Sequence, residues 1–148
     1  MARAVIVVGL PGSGKSYWVD KHRSEFEGFV VADYFKDSIV PTLRFPDSRH
    51  YHELIESLRR GKNCLIADIS FCDTLRRVEA AQVLASDVPA TIVDWVFFEN
   101  DPEACRANIR RDGGPGAAGR LAHLEELVHK YFVPSNAEVV QIWQSDQV

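Results

Sequence analysis

Apolar residues in this chain gather into five short runs, and between the runs they recur every three or four positions. The first run is Ala4-Val5-Ile6-Val7-Val8, and five consecutive apolar residues suit a strand buried on both faces. Lys15 to Phe26 then reads as a helix, with Trp18, Val19, His22 and Phe26 on one side. Gly28 to Ala32 is a short second strand that ends at Asp33. A polar stretch holding Pro41 and Pro46 leads to a helix near Ser48 to Arg60, with Gly61 as its C-terminal cap. Cys64-Leu65-Ile66-Ala67 is the third strand, ending at Asp68. Asp73 caps a helix from Thr74 to about Ala85, with Leu75, Val78 and Leu84 facing inward. Thr91 to Phe98 is the fourth strand. Asp101 caps the following helix and Pro102 fits its first turn. That helix stops before Gly113-Gly114-Pro115-Gly116. Arg120 to Phe132 is an amphipathic helix with Leu121, Leu124, Val128, Tyr131 and Phe132 inward. Pro134 ends it, and Ala137 to Trp143 makes a fifth strand.

Alternating strands and helices predict an α/β chain: a parallel sheet with helices on both faces. Ligands of such sheets bind beyond the carboxyl ends of the strands, where Gly9, Asp33 and Asp68 all fall. Residues 9 to 16 read Gly-Leu-Pro-Gly-Ser-Gly-Lys-Ser, which fits the phosphate-binding pattern G-x-x-x-x-G-K-[ST]. By chance that pattern arises in roughly one chain of this length in two hundred, and a preceding strand with a following helix makes coincidence rarer. The residue types follow from the chemistry. Gly9 opens the turn, and Gly12 and Gly14 let the backbone bend close to an anion without side-chain clash. Amides around Ser13 to Ser16 point at phosphate oxygens beside a helix start. Lys15 is expected to reach the β- and γ-phosphates, and the Ser16 hydroxyl to ligate Mg²⁺.

Length and composition narrow the remainder. At 148 residues the chain is expected to be one domain, 46% apolar and 26% charged, as soluble globular proteins are. The net charge of −4 gives no global attraction to nucleic acid or anionic membrane. Cys64, Cys72 and Cys105 form no C-x-x-C pair, so reduced cysteines in a cytoplasmic protein are expected. No apolar run approaches the ~20 residues of a membrane span, and the first strand begins at once, leaving no room for a signal peptide.

Beyond the loop, Asp68 at a strand end is placed to organise Mg²⁺, directly or through water, or else to serve as an acidic cap. Asp33 either accepts the proton of an attacking hydroxyl or caps the turn Tyr34-Phe35-Lys36. Arg106 and Arg110 lie four apart on one helix face, with Glu103 one turn earlier. They read either as a solvated face or as arginines of a lid hinged at the glycine cluster, with Arg111 pointing elsewhere and Arg120 a weaker candidate. His50 and His52 fit surface or substrate-cleft packing better than a metal or catalytic role, and Trp95, Phe97 and Phe98 fit the core better than a base-stacking platform.

With these residues in place, the chain resembles the kinase domain of phage-type polynucleotide kinase and its small P-loop kinase relatives, over nearly its whole length. The likeness rests on Gly9 to Ser16 followed by Trp18, and on Gly28-Phe29 leading to Asp33. It also includes Ile66-Ala67-Asp68-Ile69-Ser70 leading to Arg76-Arg77, Arg106 with Arg110, and a helix ending near Tyr131. The resemblance implies a three-layer P-loop NTPase fold: a five-stranded parallel sheet of order 2-3-1-4-5, helices on both faces, and a lid over residues 101–120. It implies ATP with Mg²⁺, Asp33 as general base, and Arg106 and Arg110 as lid arginines. The family carries paired aspartates and then an arginine after its second strand. Here a single Asp33 is followed three residues later by Lys36, a point charge where the family has a bidentate fork. Tyr17 stands where a small residue is usual, and the length leaves no room for an appended phosphatase domain.

The expected function is transfer of the ATP γ-phosphoryl group to a hydroxyl, on a polynucleotide 5′-end or on a small molecule. The alternative class is a nucleotide-binding regulatory protein with little turnover. A guanine-specific switch would carry N-K-x-D, and none of Asn63, Asn100, Asn108 or Asn136 precedes a lysine. A motor or remodelling ATPase would need a longer chain.

Overall fold

The computed structural model describes residues 1–33 and 49–142, and at Asp33 and residues 49–51 the backbone alone. Among the described residues five strands form one sheet: β1 (Arg3–Val8), β2 (Val30–Asp33), β3 (Cys64–Ala67), β4 (Ile92–Phe98) and β5 (Val139–Val140). Their order is β2-β3-β1-β4-β5, and every neighbouring pair is parallel. This is the order that the family resemblance implied. Val5, Ile6 and Val7 are each 1% exposed or less. Successive strand residues point to opposite faces, so both faces of β1 are covered. That is why the run is unbroken by polar residues.

Helices make the crossovers between parallel strands. They are α1 (Lys15–Lys21), α2 (Arg49–Arg59), α3 (Thr74–Asp87), α4 (Pro102–Asp112) and α5 (Ala117–Leu127), with a 3-10 turn over Ile69–Cys72. Asp73 and Asp101 cap α3 and α4 as expected, accepting from Leu75 N and Ala104 N. Gly61 takes a left-handed φ of 82° after α2. Phe97 and Phe98 are buried and Trp95 is half-buried against Phe71 and Phe97, all core residues.

Several elements differ from the sequence reading. α1 ends at Lys21, and three-residue turns carry the chain to Gly28. The His22 ring, its Nδ1 2.8 Å from Trp18 O, competes for the carbonyl at that end. Trp18 still stacks on His22 and packs on Phe26, so the apolar side survives without continuous helix. On α3, Leu75 and Val78 face solvent, and the inner stripe is Arg77, Ala80 and Leu84. The cause is Arg77. Its guanidinium donates to the carbonyls of Phe71, Cys72 and Phe132 and to Thr74 Oγ1, and lies 5.4 Å from the centre of the Phe97 ring. One buried cation thereby satisfies three carbonyls and sets the rotation of the helix. α5 begins at Ala117 and ends at Leu127. Tyr131 is buried while Phe132 is exposed, because the Tyr131 hydroxyl donates its one proton to Phe98 O, with Val8 O 3.4 Å away. Among the described residues β5 pairs through Val139 and Val140, and Trp143 lies outside them.

Candidate active site

The loop after β1 leaves the centre of the sheet, between β3 and β4. Gly12 and Gly14 adopt φ of 82° and 95°, values that side chains rarely tolerate. At Gly12 the fit is close as well as left-handed. A Cβ there would stand 2.6 Å from Cys105 O and 2.8 Å from Ile109 Cγ1. Gly9 is confined less strictly: the place of a Cβ lies 2.5 Å from Ser13 Oγ, the tip of a side chain, and 3.1 Å from Phe98 Cβ. So α4 rests directly on the loop at Gly12, where glycine is a packing requirement.

Lys15 is buried, and its ammonium folds over the loop. Nζ donates to Gly9 O at 2.7 Å, Leu10 O at 3.0 Å and Ser13 Oγ at 3.5 Å. Ser16, half-buried, opens α1 beside it. Asp68 follows β3 directly. Its Oδ1 accepts from Ser70 N at 3.3 Å, which caps the 3-10 turn. Burial pushes the Asp68 carboxyl above the ordinary carboxylate value, opposed by the Ser70 hydrogen bonds and the Lys15 charge. A cleft of about 270 Å³ gathers Gly12, Gly14, Lys15, Ser16 and Asp68 on one side. Asn108, Arg111, Asp112 and Arg120 line it from α4 and α5.

The structure does not bring Arg106 or Arg110 to that lining. Arg106 forms a two-pronged pair with Glu125 of α5, Nε–Oε1 2.6 Å and Nη2–Oε2 3.2 Å, and also pairs with Glu103. Arg110 is exposed, and its charge acts on Glu125. The face shared by residues 106 and 110 thus turns toward α5, because Cys105 and Ile109 occupy the face against the loop. Arg111, read from the sequence as pointing elsewhere, lines the cleft. It is held by Asn108 Oδ1 at 2.9 Å and by Asp112 Oδ1 at 3.1 Å. Arg120 also lines it, with Nη2 donating to Gly113 O at 3.0 Å. Asn108 was missed by the sequence reading. Its signal was a polar residue within the buried stripe Ala104, Cys105, Ile109.

Asp33 ends β2 in register with Ala67, one residue before Asp68, so the two carboxylate positions close neighbouring strands. The Asp33 side chain lies outside the described residues, as do the turn Tyr34-Phe35-Lys36, Pro41 and Pro46. His50 is placed by its backbone in α2, and His52 is exposed. Among the described residues no group of three or more His, Cys, Asp and Glu side chains could hold a metal ion, and no helix is long and apolar enough to cross a membrane.

A glycine-rich loop joining the central strand to a helix, in a parallel sheet of this order, defines a P-loop NTPase fold. The AAA domain family AAA_33 matches residues 5–129, and the chain belongs to that family. Among solved structures, a gluconokinase from Sinorhizobium meliloti 1021 shares the fold, with a TM-score of 0.55 and 15% identity. The match covers 95% of this chain and 83% of that one. No curated protein sequence matches.

Proposed function

We propose that this protein is a Mg²⁺- and ATP-dependent kinase whose acceptor is the hydroxyl of a small polyhydroxylated molecule. One observation carries the reading: Lys15, Ser16 and Asp68 share a single cleft with two arginines from the α4–α5 hairpin. A simple nucleotide-binding module needs the first three and gains little from the last two. Phosphoryl transfer needs positive charge on both sides of the moving group. The overall negative charge argues against a polyanionic acceptor, and the fold shared with a gluconokinase agrees with a small one.

The residues divide the work as follows. Amides of the loop cradle the phosphates. Lys15 exchanges a loop carbonyl for a β- or γ-phosphate oxygen. Ser16 and Asp68 form an all-oxygen donor set of the kind Mg²⁺ prefers, and a carboxylate raised by burial gains from a cation beside it. When bound there, Mg²⁺ supplies charge neutralisation on the β- and γ-oxygens. Arg111 and Arg120 stabilise charge on the transferring group. Asp33 accepts the proton as the acceptor oxygen bonds to the γ-phosphorus and the bond to ADP breaks. Residues 101–120 act as the lid over this reaction.

An acceptor screen with labelled ATP tests the reading. Label on sugar acids or other polyols supports it. Label on oligonucleotide 5′-ends moves the acceptor to nucleic acid. ATP binding with no transfer makes the chain a regulatory nucleotide-binding protein, and no binding at millimolar ATP overturns the assignment altogether.

A further inference from the structure

Asn108 lies in the interior of α4 and is 4% exposed. A buried amide has to find hydrogen-bond partners, and both ends of this one are used, one outside its helix and one within it. Nδ2 donates to Gly12 O in the P-loop at 2.9 Å, across 96 residues of sequence. Oδ1 accepts from Arg111 Nη1 at 2.9 Å. The opposite amide orientation would set donor against guanidinium and oxygen against carbonyl, so these two partners fix it. The same stretch of α4 touches the loop at Gly12, where no Cβ fits against Cys105 O and Ile109. A shift of the Gly12 carbonyl therefore reaches the Arg111 guanidinium through a single planar group.

Resting on the kinase reading above, we infer that Asn108 is a positioning residue for phosphoryl transfer: its amide holds the P-loop at Gly12 and, through the same group, aims Arg111 into the phosphate cleft. The donor half governs how well the loop holds nucleotide. The acceptor half governs how well Arg111 meets the moving charge. A purely structural asparagine would instead affect stability, and its effect would be independent of Arg111.

The experiment compares wild type, Asn108→Leu, Arg111→Ala and their double variant. Calorimetry gives Mg²⁺–ATP affinity, and ADP release to water gives a rate that requires no identified acceptor. Asn108→Leu keeps the number and branching of side-chain heavy atoms but removes the hydrogen bonds to Gly12 O and Arg111 Nη1. It is expected to lower the saturated rate about tenfold or more, as Arg111→Ala does, with the double variant no slower than Arg111→Ala alone. Multiplying effects overturn the inference. Asn108→Asp provides a second test, and it decides alone if the leucine variant does not fold. It keeps an acceptor for Arg111 and sets an oxygen against Gly12 O. ATP affinity should fall about tenfold while the saturated rate stays within about threefold of wild type. Rate losses as large as those of Asn108→Leu overturn the inference. A wild type that neither binds nor turns over ATP removes the kinase reading itself, whereas a competent wild type with multiplying effects removes only the role of Asn108.

Discussion

At the scale of single residues, the P-loop glycines differ from those of the later hairpin in what confines them. Gly12 is held both by its positive φ and by the backbone of α4 pressed against it. Gly114 has a φ of 83°, yet nothing lies within 4 Å of the place a Cβ would take. Gly114→Ala should therefore cost only backbone strain, about 1 kcal/mol. Gly12→Ala adds a steric clash that rotating a side chain cannot relieve, and should cost roughly 2–4 kcal/mol and weaken nucleotide binding. Denaturant unfolding with calorimetry measures both. Near-equal stability losses at the two positions would mean that α4 does not bear on the loop. Asp68 presents the opposite balance between stability and function. Folding raises its pKa, so its stabilising influence is complete below the unfolded value and is lost as pH rises through the folded value. At neutral pH the charged form costs stability. Asp68→Asn keeps the acceptor for Ser70 N and removes the charge. The variant should melt above wild type at neutral pH, with the gap closing on acidification to about pH 4, and it should lose Mg²⁺-dependent ATP affinity. A variant that melts lower at neutral pH would refute this account of the carboxylate.

At the scale of elements, the α4–α5 hairpin has separate structural and cleft-facing arginines. Arg106 ties the helices together through Glu125, while Arg111 and Arg120 face the loop. The Arg106 side chain holds the Glu125 carboxyl below its ordinary value. A depressed carboxylate stabilises above its unfolded pKa and loses that contribution as pH falls through the folded one. Arg106→Ala should therefore speed amide exchange in α4 and α5 at neutral pH, and the difference from wild type should shrink in acid. Its effect on turnover should be smaller than that of Arg111→Ala. A rate loss at Arg106 exceeding that at Arg111 would restore Arg106 to the reacting centre. Helical periodicity correctly grouped Arg106 with Arg110. It could not say which way that face turned, because the answer depends on Cys105 and Ile109 packing against a loop some 90 residues earlier.

At the scale of the whole molecule, burial reaches the thiols. Cys64 is pushed up to about 11, and Cys72 and Cys105 to about 12, by desolvation. The three should stay protonated and react with a thiol reagent only as the chain unfolds. Titration with a chromogenic disulfide at neutral pH, with and without denaturant, checks this, and rapid native labelling would contradict the packing around the P-loop. Much of the fold was legible because its signals are local. An unbroken apolar run states that a strand is covered on both faces, and a loop motif carries its own backbone requirements. The strand assignments around Val5, Leu65 and Phe97 and the P-loop itself followed from neighbours in sequence. Helix rotation and termination did not. Leu75 and Val78 were read as inward from their spacing, yet Arg77 took the buried position because carbonyls at residues 71, 72 and 132 converge on it. The sequence by itself determined the strand pattern and the glycine-rich loop between β1 and α1, since each depends on residues a few positions apart. Only the tertiary structure decided that Arg111 and Arg120 face the cleft, that Arg106 clasps a hairpin, and that Asn108 joins α4 to the loop. Those facts depend on contacts between segments up to 96 residues apart, and no local pattern encodes the orientation of one helix against another.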